Sequence, residues 1–456
     1  MSDKTPFHLR GNYAPVTEEC TATDLPVEGA IPPEICGSYV RNGPNPKSGT
    51  SPHWFSGDGM LHAVRLEGGR ALSYRNRWVR TRSFLEEDAK LIGDDGVDLT
   101  VAVANTNIVR HAGDWLALVE SSFPTRVNAE LETLGQTDFG GRLRTAFTAH
   151  PKFCPETGEM HFFGYGFFEP FLTYHRVNAA GELVQSEEID VTGPTMVHDF
   201  AITRNHVIFL DLPVVFDLEA AMQRFAGPEG ETSDAGDGDG MPYHWSDDYP
   251  ARIGVMERGV AGAQVRWSAI DPCYIFHPWN AFERDGHIVL DACRYPELWR
   301  EGTGSFDAAK PHRFEIDPAA GRVHETPLFE TDAEFPRIDD RRCGLTHRYG
   351  YAASLGDDIS NPSNQTAIVK HDFVHGEETR WEPGAGCVPG EFVFVPSAAD
   401  AGEDEGWALG FVYDGNRGGS DLVILDATGI ERGPVARVRL PQRVPFGFHG
   451  NFFADE

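Results

Sequence analysis

Short apolar runs alternate with polar, glycine-bearing turns from Cys36 to the end of the chain, and long helical periodicity is scarce, so the pattern predicts strands. One unit recurs as strand, tight turn and apolar strand, at Asn107–Val119, at His198–Leu210 and at His277–Leu290. A second kind of hairpin follows at Val177–Glu182, Ile316–Arg322 and Leu425–Ile430, where Asp or Asn opens the turn and Gly supplies the conformation that closes it. Recurrence at roughly 40–80 residues with variable insertions fits four-stranded blades around a channel better than a sandwich, and makes the chain all-β. Short helices are expected at Asn128–Leu134 and at Asp217–Phe225, the second opened by an aspartate able to cap it.

No linker divides the sequence, so residues 1–456 read as a single propeller domain. An N-terminal extension covers approximately residues 1–30, and an acidic glycine-rich loop at 227–240 separates two blades. That loop lacks the residue order of a calcium-binding EF-hand and reads as solvated. Forty per cent hydrophobic residues, 49 glycines and 31 prolines suit a turn-rich β protein.

A net charge of −31 repels polyanions, which sets nucleic acid aside as a partner. The seven cysteines are scattered, odd in number and never in CxxC spacing, so neither a disulfide framework nor a thiolate zinc site is indicated. The opening Met-Ser-Asp-Lys-Thr-Pro lacks an apolar segment, and no apolar run is long enough to cross a membrane as a helix. A soluble protein of the reducing cytoplasm, with no obligate protein partner, is the expectation.

The chemistry lies in a recurring setting of histidine: Ala149-His150-Pro151, Val197-His198-Asp199, Phe276-His277-Pro278 and Phe448-His449-Gly450. Taken singly, each reads as an ordinary structural histidine. As a set, each following small or apolar residues beside a strand, they read as ligands of one metal held by four blades. Their separations of 48, 79 and 172 positions exceed those of a zinc finger or an HExxH helix, so they must converge from separate repeats. Neutral imidazoles suit iron, copper, nickel or zinc and leave the charge of a divalent ion to be offset by nearby anions.

Arg41-Asn-Gly-Pro-Asn-Pro46, Trp54-Phe-Ser-Gly-Asp-Gly-Met60, the four histidines, Glu334-Phe-Pro-Arg337 and Val444-Pro-Phe-Gly-Phe-His-Gly-Asn451 occur in that order. In these segments nearly the whole chain resembles the carotenoid cleavage oxygenase family. The resemblance implies a seven-bladed β-propeller with a small helical dome over the metal-site face, and a nonhaem Fe(II) on its axis held by His150, His198, His277 and His449. It also implies three glutamates behind the ligands: Glu120 for His198, Glu334 for His277 and Glu391 for His449, with His150 lacking a carboxylate. By the same resemblance Thr106 takes the place of a residue whose methyl crowds an open metal position. Without the resemblance, the glutamates read as strand-edge or salt-bridging residues and Thr106 as an ordinary strand residue.

The activity so implied is dioxygen-dependent cleavage of a conjugated carbon–carbon double bond into two carbonyl products, with dioxygen as co-substrate. The substrate is an apolar conjugated alkene, and a transient membrane contact for its uptake is compatible with that. The stilbene-cleaving branch usually carries a lysine immediately before the first of these glutamates, where this chain has Val119. That departure tilts the expectation toward a carotenoid or apocarotenoid, with a lignostilbene-type or phenylpropenoid alkene as the alternative. The aromatic stretch His161–Leu172 is a candidate tunnel lining, and core packing explains most of it equally well. Two further alternatives are an isomerohydrolase, which consumes no oxygen, and a noncatalytic binding propeller.

Overall fold

The alternating apolar residues form antiparallel strands, and these assemble into seven sheets of four or five strands, the blades of a propeller. The computed structural model describes residues 5–86, 88–93, 96–217, 241–300, 302, 307–355 and 366–455. Blade 2 runs from its innermost strand outward as Asn107–His111, Asp114–Leu118, Thr125–Val127 and Thr133–Gln136. Blades 3 to 6 repeat this meander, with Lys152–Phe153, Ala201–Ile202, Tyr274–Arg284 and Glu334–Arg337 innermost. In blade 7 the innermost strand is Cys387–Pro396.

Both ends of the chain close the ring. The C-terminal strand Gly450–Ala454 is innermost in blade 1, pairing antiparallel with Gly37–Pro44 from Arg41 opposite Gly450 to Gly37 opposite Ala454. The N-terminal strand Val27–Gly29 adds to the outer edge of blade 7, against Pro434–Arg439. In this way both ends of the chain are tied into the ring by backbone hydrogen bonds.

The core lies between neighbouring blades. Tyr39, Val64 and Tyr74 of blade 1 pack on Leu409, Phe411 and Ile424 of blade 7, all buried. Burying each such side chain contributes about 1.5–3 kcal/mol before the entropy of ordering it. Polar side chains stitch the inner ends together. Fully buried Asn42 donates from Nδ2 to the carbonyls of Ala104 (2.8 Å) and Asn107 (2.9 Å) and accepts from the Gly43 amide. Asn107 does the same one blade on, donating to the Ala149 carbonyl at 2.8 Å, and Asn280 reaches the carbonyls of Arg342 and Leu345.

The helix expected at Asn128–Leu134 is instead a turn leading into the strand Thr133–Gln136. Asn128 Oδ1 accepts from the amides of Glu130 and Glu132, which captures donors a helix would need, and Leu131 adopts a left-handed φ of 63°. The segment expected to be helical at 217–225 lies, beyond Asp217, outside the described residues, as does the acidic loop 227–240. Among the described residues, helix is confined to Arg82–Leu85 and a few three-residue 3-10 turns, and none is long and apolar enough to cross a membrane.

Candidate metal centre

His150 and His198 lie in the segments that lead into the innermost strands of blades 3 and 4, His277 lies within that of blade 5, and His449 directly precedes that of blade 1. Each blade delivers one imidazole to the axis, which is why the sequence intervals are long. The four offer ligand nitrogens that all lie within 4.8 Å of one another. His150 Nε2 is 3.1 Å from His198 Nε2, and His198 Nε2 is 3.2 Å from His277 Nε2.

Breaks in the ladders aim the residues behind these rings. The register slips around His277, between Glu334 and Arg337, and between Pro389 and Phe392 on either side of Glu391. Such bulges turn a side chain away from the alternation of a regular strand. At Glu334 the slip is accompanied by a left-handed φ of 52° at Phe335, a costly conformation for an aromatic residue. It sets the Phe335 ring against His277 (centroids 5.8 Å apart) and His449 (5.3 Å).

Three carboxylates meet three of the imidazoles. Glu120 Oε1 lies 2.5 Å from His198 Nδ1, Glu334 Oε2 lies 2.6 Å from His277 Nδ1, and Glu391 Oε1 lies 3.0 Å from His449 Nδ1. Among the described residues no carboxylate pairs with His150, whose backbone amide donates to Thr148 Oγ1. A carboxylate accepting the Nδ1 proton leaves a lone pair on Nε2. Acceptor nitrogens therefore face each other about the axis at hydrogen-bond distance, an arrangement that a shared cation relieves. By this test the donor set fits a metal ion of the kind imidazole prefers.

Burial lowers His150 well below the ordinary histidine range, with the other three imidazoles adding to the effect, and keeps it neutral. His277 is also lowered by burial, partly opposed by Glu334. In His198, burial is outweighed by Glu120 and the value rises. Glu391 would be pushed up by burial, but Arg337 and the His449 N–H bring it down to about 2. Glu334 is likewise held below its usual value, with His277 and the Phe335 amide outweighing burial.

Phenols from neighbouring strands fix two of these glutamates. Tyr165 donates its phenol to Glu120 Oε2 at 2.7 Å, and Tyr295 donates to Glu334 Oε1 at 2.8 Å. The only signals for Tyr165 and Arg337 are their places in Phe-Phe-Gly-Tyr and Glu-Phe-Pro-Arg, and nothing in the sequence marks Tyr295. Thr106 sits beside the centre through its backbone, its carbonyl accepting from the His449 amide at 3.1 Å. Its hydroxyl donates to Asn105 Oδ1 at 3.0 Å. The stretch 161–172 divides: Phe162 and Phe163 are fully buried core, Phe168 is exposed, and Phe167 stacks on Phe216 at 3.6 Å.

Two environments adjoin the imidazoles. A cavity of about 350 Å³ is lined by His150, His277 and His449 together with Lys152, Asp199 and Arg337, charges that suit water rather than an alkene. The second is aromatic: Phe276 meets His198 edge-on at 5.0 Å and packs on Tyr274, Tyr295 and Trp299.

The model of the family described as retinal pigment epithelial membrane protein matches residues 13–454. A carotenoid cleavage oxygenase of Mycobacterium tuberculosis is 37% identical, covering 98% of this chain and 97% of its own. A carotenoid 9,10(9′,10′)-cleavage dioxygenase of Phaseolus vulgaris is 33% identical over 99% of this chain and 90% of its own. Among solved structures, a Pseudomonas brassicacearum lignostilbene dioxygenase superposes with a TM-score of 0.86 at 29% identity, covering 99% of both chains. A variant of the Synechocystis apocarotenoid oxygenase gives 0.84 at 28% identity, covering 97% of this chain and 98% of its own.

Proposed function

Because the chain belongs to the retinal pigment epithelial membrane protein and carotenoid cleavage oxygenase family, we propose that it is an iron(II)-dependent dioxygenase. It cleaves a conjugated carbon–carbon double bond of a carotenoid, apocarotenoid or similar apolar alkene. One alkene and one dioxygen give two carbonyl products, so each former alkene carbon gains an oxygen and no external reductant is consumed. The observation that carries this reading is the convergence of four histidines, three of them with Nδ1 held by a carboxylate.

His150, His198, His277 and His449 are the residues that would hold the iron. A ferrous ion so held would supply the redox centre that lets ground-state dioxygen react with a closed-shell alkene. The protein's own groups provide order and exclusion. Glu120, Glu334 and Glu391 fix the tautomer and orientation of three rings and offset cationic charge. Tyr165 and Tyr295 spend their hydroxyl protons on carboxylates, so neither is a free acid that would quench a reactive intermediate. Phe276, half-buried beside His198 and backed by the buried Tyr274, Tyr295 and Trp299, is the aromatic side chain a polyene would meet there. Thr106, whose carbonyl holds the His449 amide, would be the residue whose methyl crowds an open metal position.

Val119 in place of a lysine favours an apolar substrate over a hydroxystilbene, which needs a cation for its phenolate. The lignostilbene dioxygenase match favours the stilbene alternative, and one experiment separates them. Ferrous-loaded protein is incubated aerobically with apocarotenals, carotenoids and hydroxystilbenes, with an anaerobic control, and aldehydes are read by mass spectrometry. Oxygen-dependent aldehydes from the polyenes, located by mass, are expected. Cleavage of hydroxystilbenes alone would establish the alternative, and product formed without oxygen would overturn the dioxygenase reading.

A further inference from the structure

The three glutamates behind the ligands are not held alike. Glu120 and Glu334 each receive a neutral phenol, from Tyr165 and Tyr295, whereas Glu391 faces a guanidinium. Arg337 Nη1 lies 3.4 Å from Glu391 Oε1, the same oxygen that accepts from His449 Nδ1. Arg337 also grips the strand that follows His449. Nη1 donates to the Gly450 carbonyl at 2.9 Å and Nη2 to Asn451 Oδ1 at 2.7 Å. Glu391 Oε2 takes the Gly450 amide at 2.8 Å, so both backbone groups of Gly450 are claimed by this pair.

The three partners come from different blades: Arg337 from blade 6, Glu391 from blade 7 and Gly450 from blade 1. They meet at the C-terminal strand that closes the ring, and His449 is the metal-ligand candidate immediately before that strand. A fork of donors spanning a carboxylate, a carbonyl and an amide oxygen is a task for arginine, since lysine offers only a point charge. Charge points the same way. Three carboxylates against one divalent ion leave a surplus negative charge, and one guanidinium cancels it. Asp340, 3.6 Å from Arg337, has a largely exposed side chain and lines the cavity beside the imidazoles, where water screens its charge, so it counts less in that balance.

We propose that Arg337 is a positioning residue that couples closure of the propeller by the C-terminal strand to retention of the metal at His449. The inference rests on the four-histidine metal reading above and goes beyond it, because it makes metal release depend on a residue that touches no ligand ring directly.

The test uses the full-length protein loaded with cobalt(II), whose visible ligand-field bands report the ligand set. Wild type is compared with Arg337→Gln, Arg337→Lys and Asn451→Ala. Release to excess chelator is followed together with hydrogen exchange of the amides at 451–454, with and without cobalt. Arg337→Gln is expected to release cobalt roughly tenfold faster, in the range by which partners of metal ligands act, with shifted bands and faster exchange in both states. Arg337→Lys should restore the bands but not slow exchange. Asn451→Ala, which keeps the Arg337–Glu391 pair, should speed exchange with a smaller effect on release, and it serves if Arg337→Gln does not fold. Release within twofold of wild type in both Arg337→Gln and Asn451→Ala overturns the coupling. Faster exchange with unchanged bands and release also overturns it, reducing Arg337 to a strap. Wild-type protein that takes up no cobalt overturns the metal reading and this one together, whereas the other negative results overturn this one alone.

Discussion

Lys152 Nζ lies 2.7 Å from Asp199 Oδ1, joining the inner strand after His150 to the residue after His198. Asp199 is 2% exposed at its side chain, and its other support is the Phe200 amide donating to Oδ1 at 2.7 Å. The pair fixes the spacing of two blades at the point where each delivers an imidazole. His150, which has no carboxylate of its own among the described residues, is therefore held through its strand.

Lys152→Met leaves the Asp199 carboxylate buried without its counter-charge. A loss of about 3–5 kcal/mol is expected from breaking one side of a buried pair. Denaturant unfolding of metal-free protein measures it. The double variant Lys152→Met/Asp199→Leu should recover most of that loss, and a double variant as unstable as the single would contradict the account.

Glu334→Gln removes the negative charge behind His277 and offers its Nδ1 an amide in place of a carboxylate, and a 10–100-fold weaker metal affinity is the expected cost. Tyr295→Phe removes the donor to Oε1 but leaves Oε2 with His277 and the Phe335 amide, so its effect should be clearly smaller. Competition with a metal indicator ranks the two. Equal affinities for both variants and wild type would mean that Glu334 does not act through His277.

Glu283 of blade 5 accepts from Thr203 Oγ1 at 2.6 Å, the Asn205 amide at 3.0 Å and His206 Nδ1 at 2.9 Å, all at the hairpin turn of blade 4. Burial alone would raise its value from 4.5, but these hydrogen bonds bring it down to about 2. A carboxylate lowered on folding contributes stability that is complete above its unfolded value and lost as pH falls. The contribution should disappear between pH 4.5 and about 2. In Glu283→Gln that part of the acid profile should flatten, as read by thermal melts across this range.

Asn42→Ala strips the donors from two buried carbonyls and the acceptor from the Gly43 amide. A loss of about 1–3 kcal/mol per unsatisfied group is expected, with the metal ligands untouched. Calorimetry checks the stability and metal titration checks the site. Weakened metal binding at full stability would reverse the assignment of Asn42 to the frame.

What the sequence determined by itself is periodic and local. Alternation and turn residues predict the hairpins, and the structure has them: Asn107–His111 with Asp114–Leu118, and Leu172–Val177 with Leu183–Glu188. Four histidines in one recurring setting, beside strands of a predicted propeller, imply ligands that converge from separate repeats on one metal. Where local rules compete, the sequence misled: at Asn128–Leu134 the spacing reads as a helical turn, yet one asparagine side chain takes two of its amides. Tertiary structure alone decided what depends on one blade meeting another. Tyr295 reaches Glu334 across 39 positions, and Arg337 reaches Gly450 across 113. No local preference encodes such contacts, because they arise from the slipped registers that turn His277, Glu334 and Glu391 away from regular alternation and from the closure that returns the last strand to the first blade.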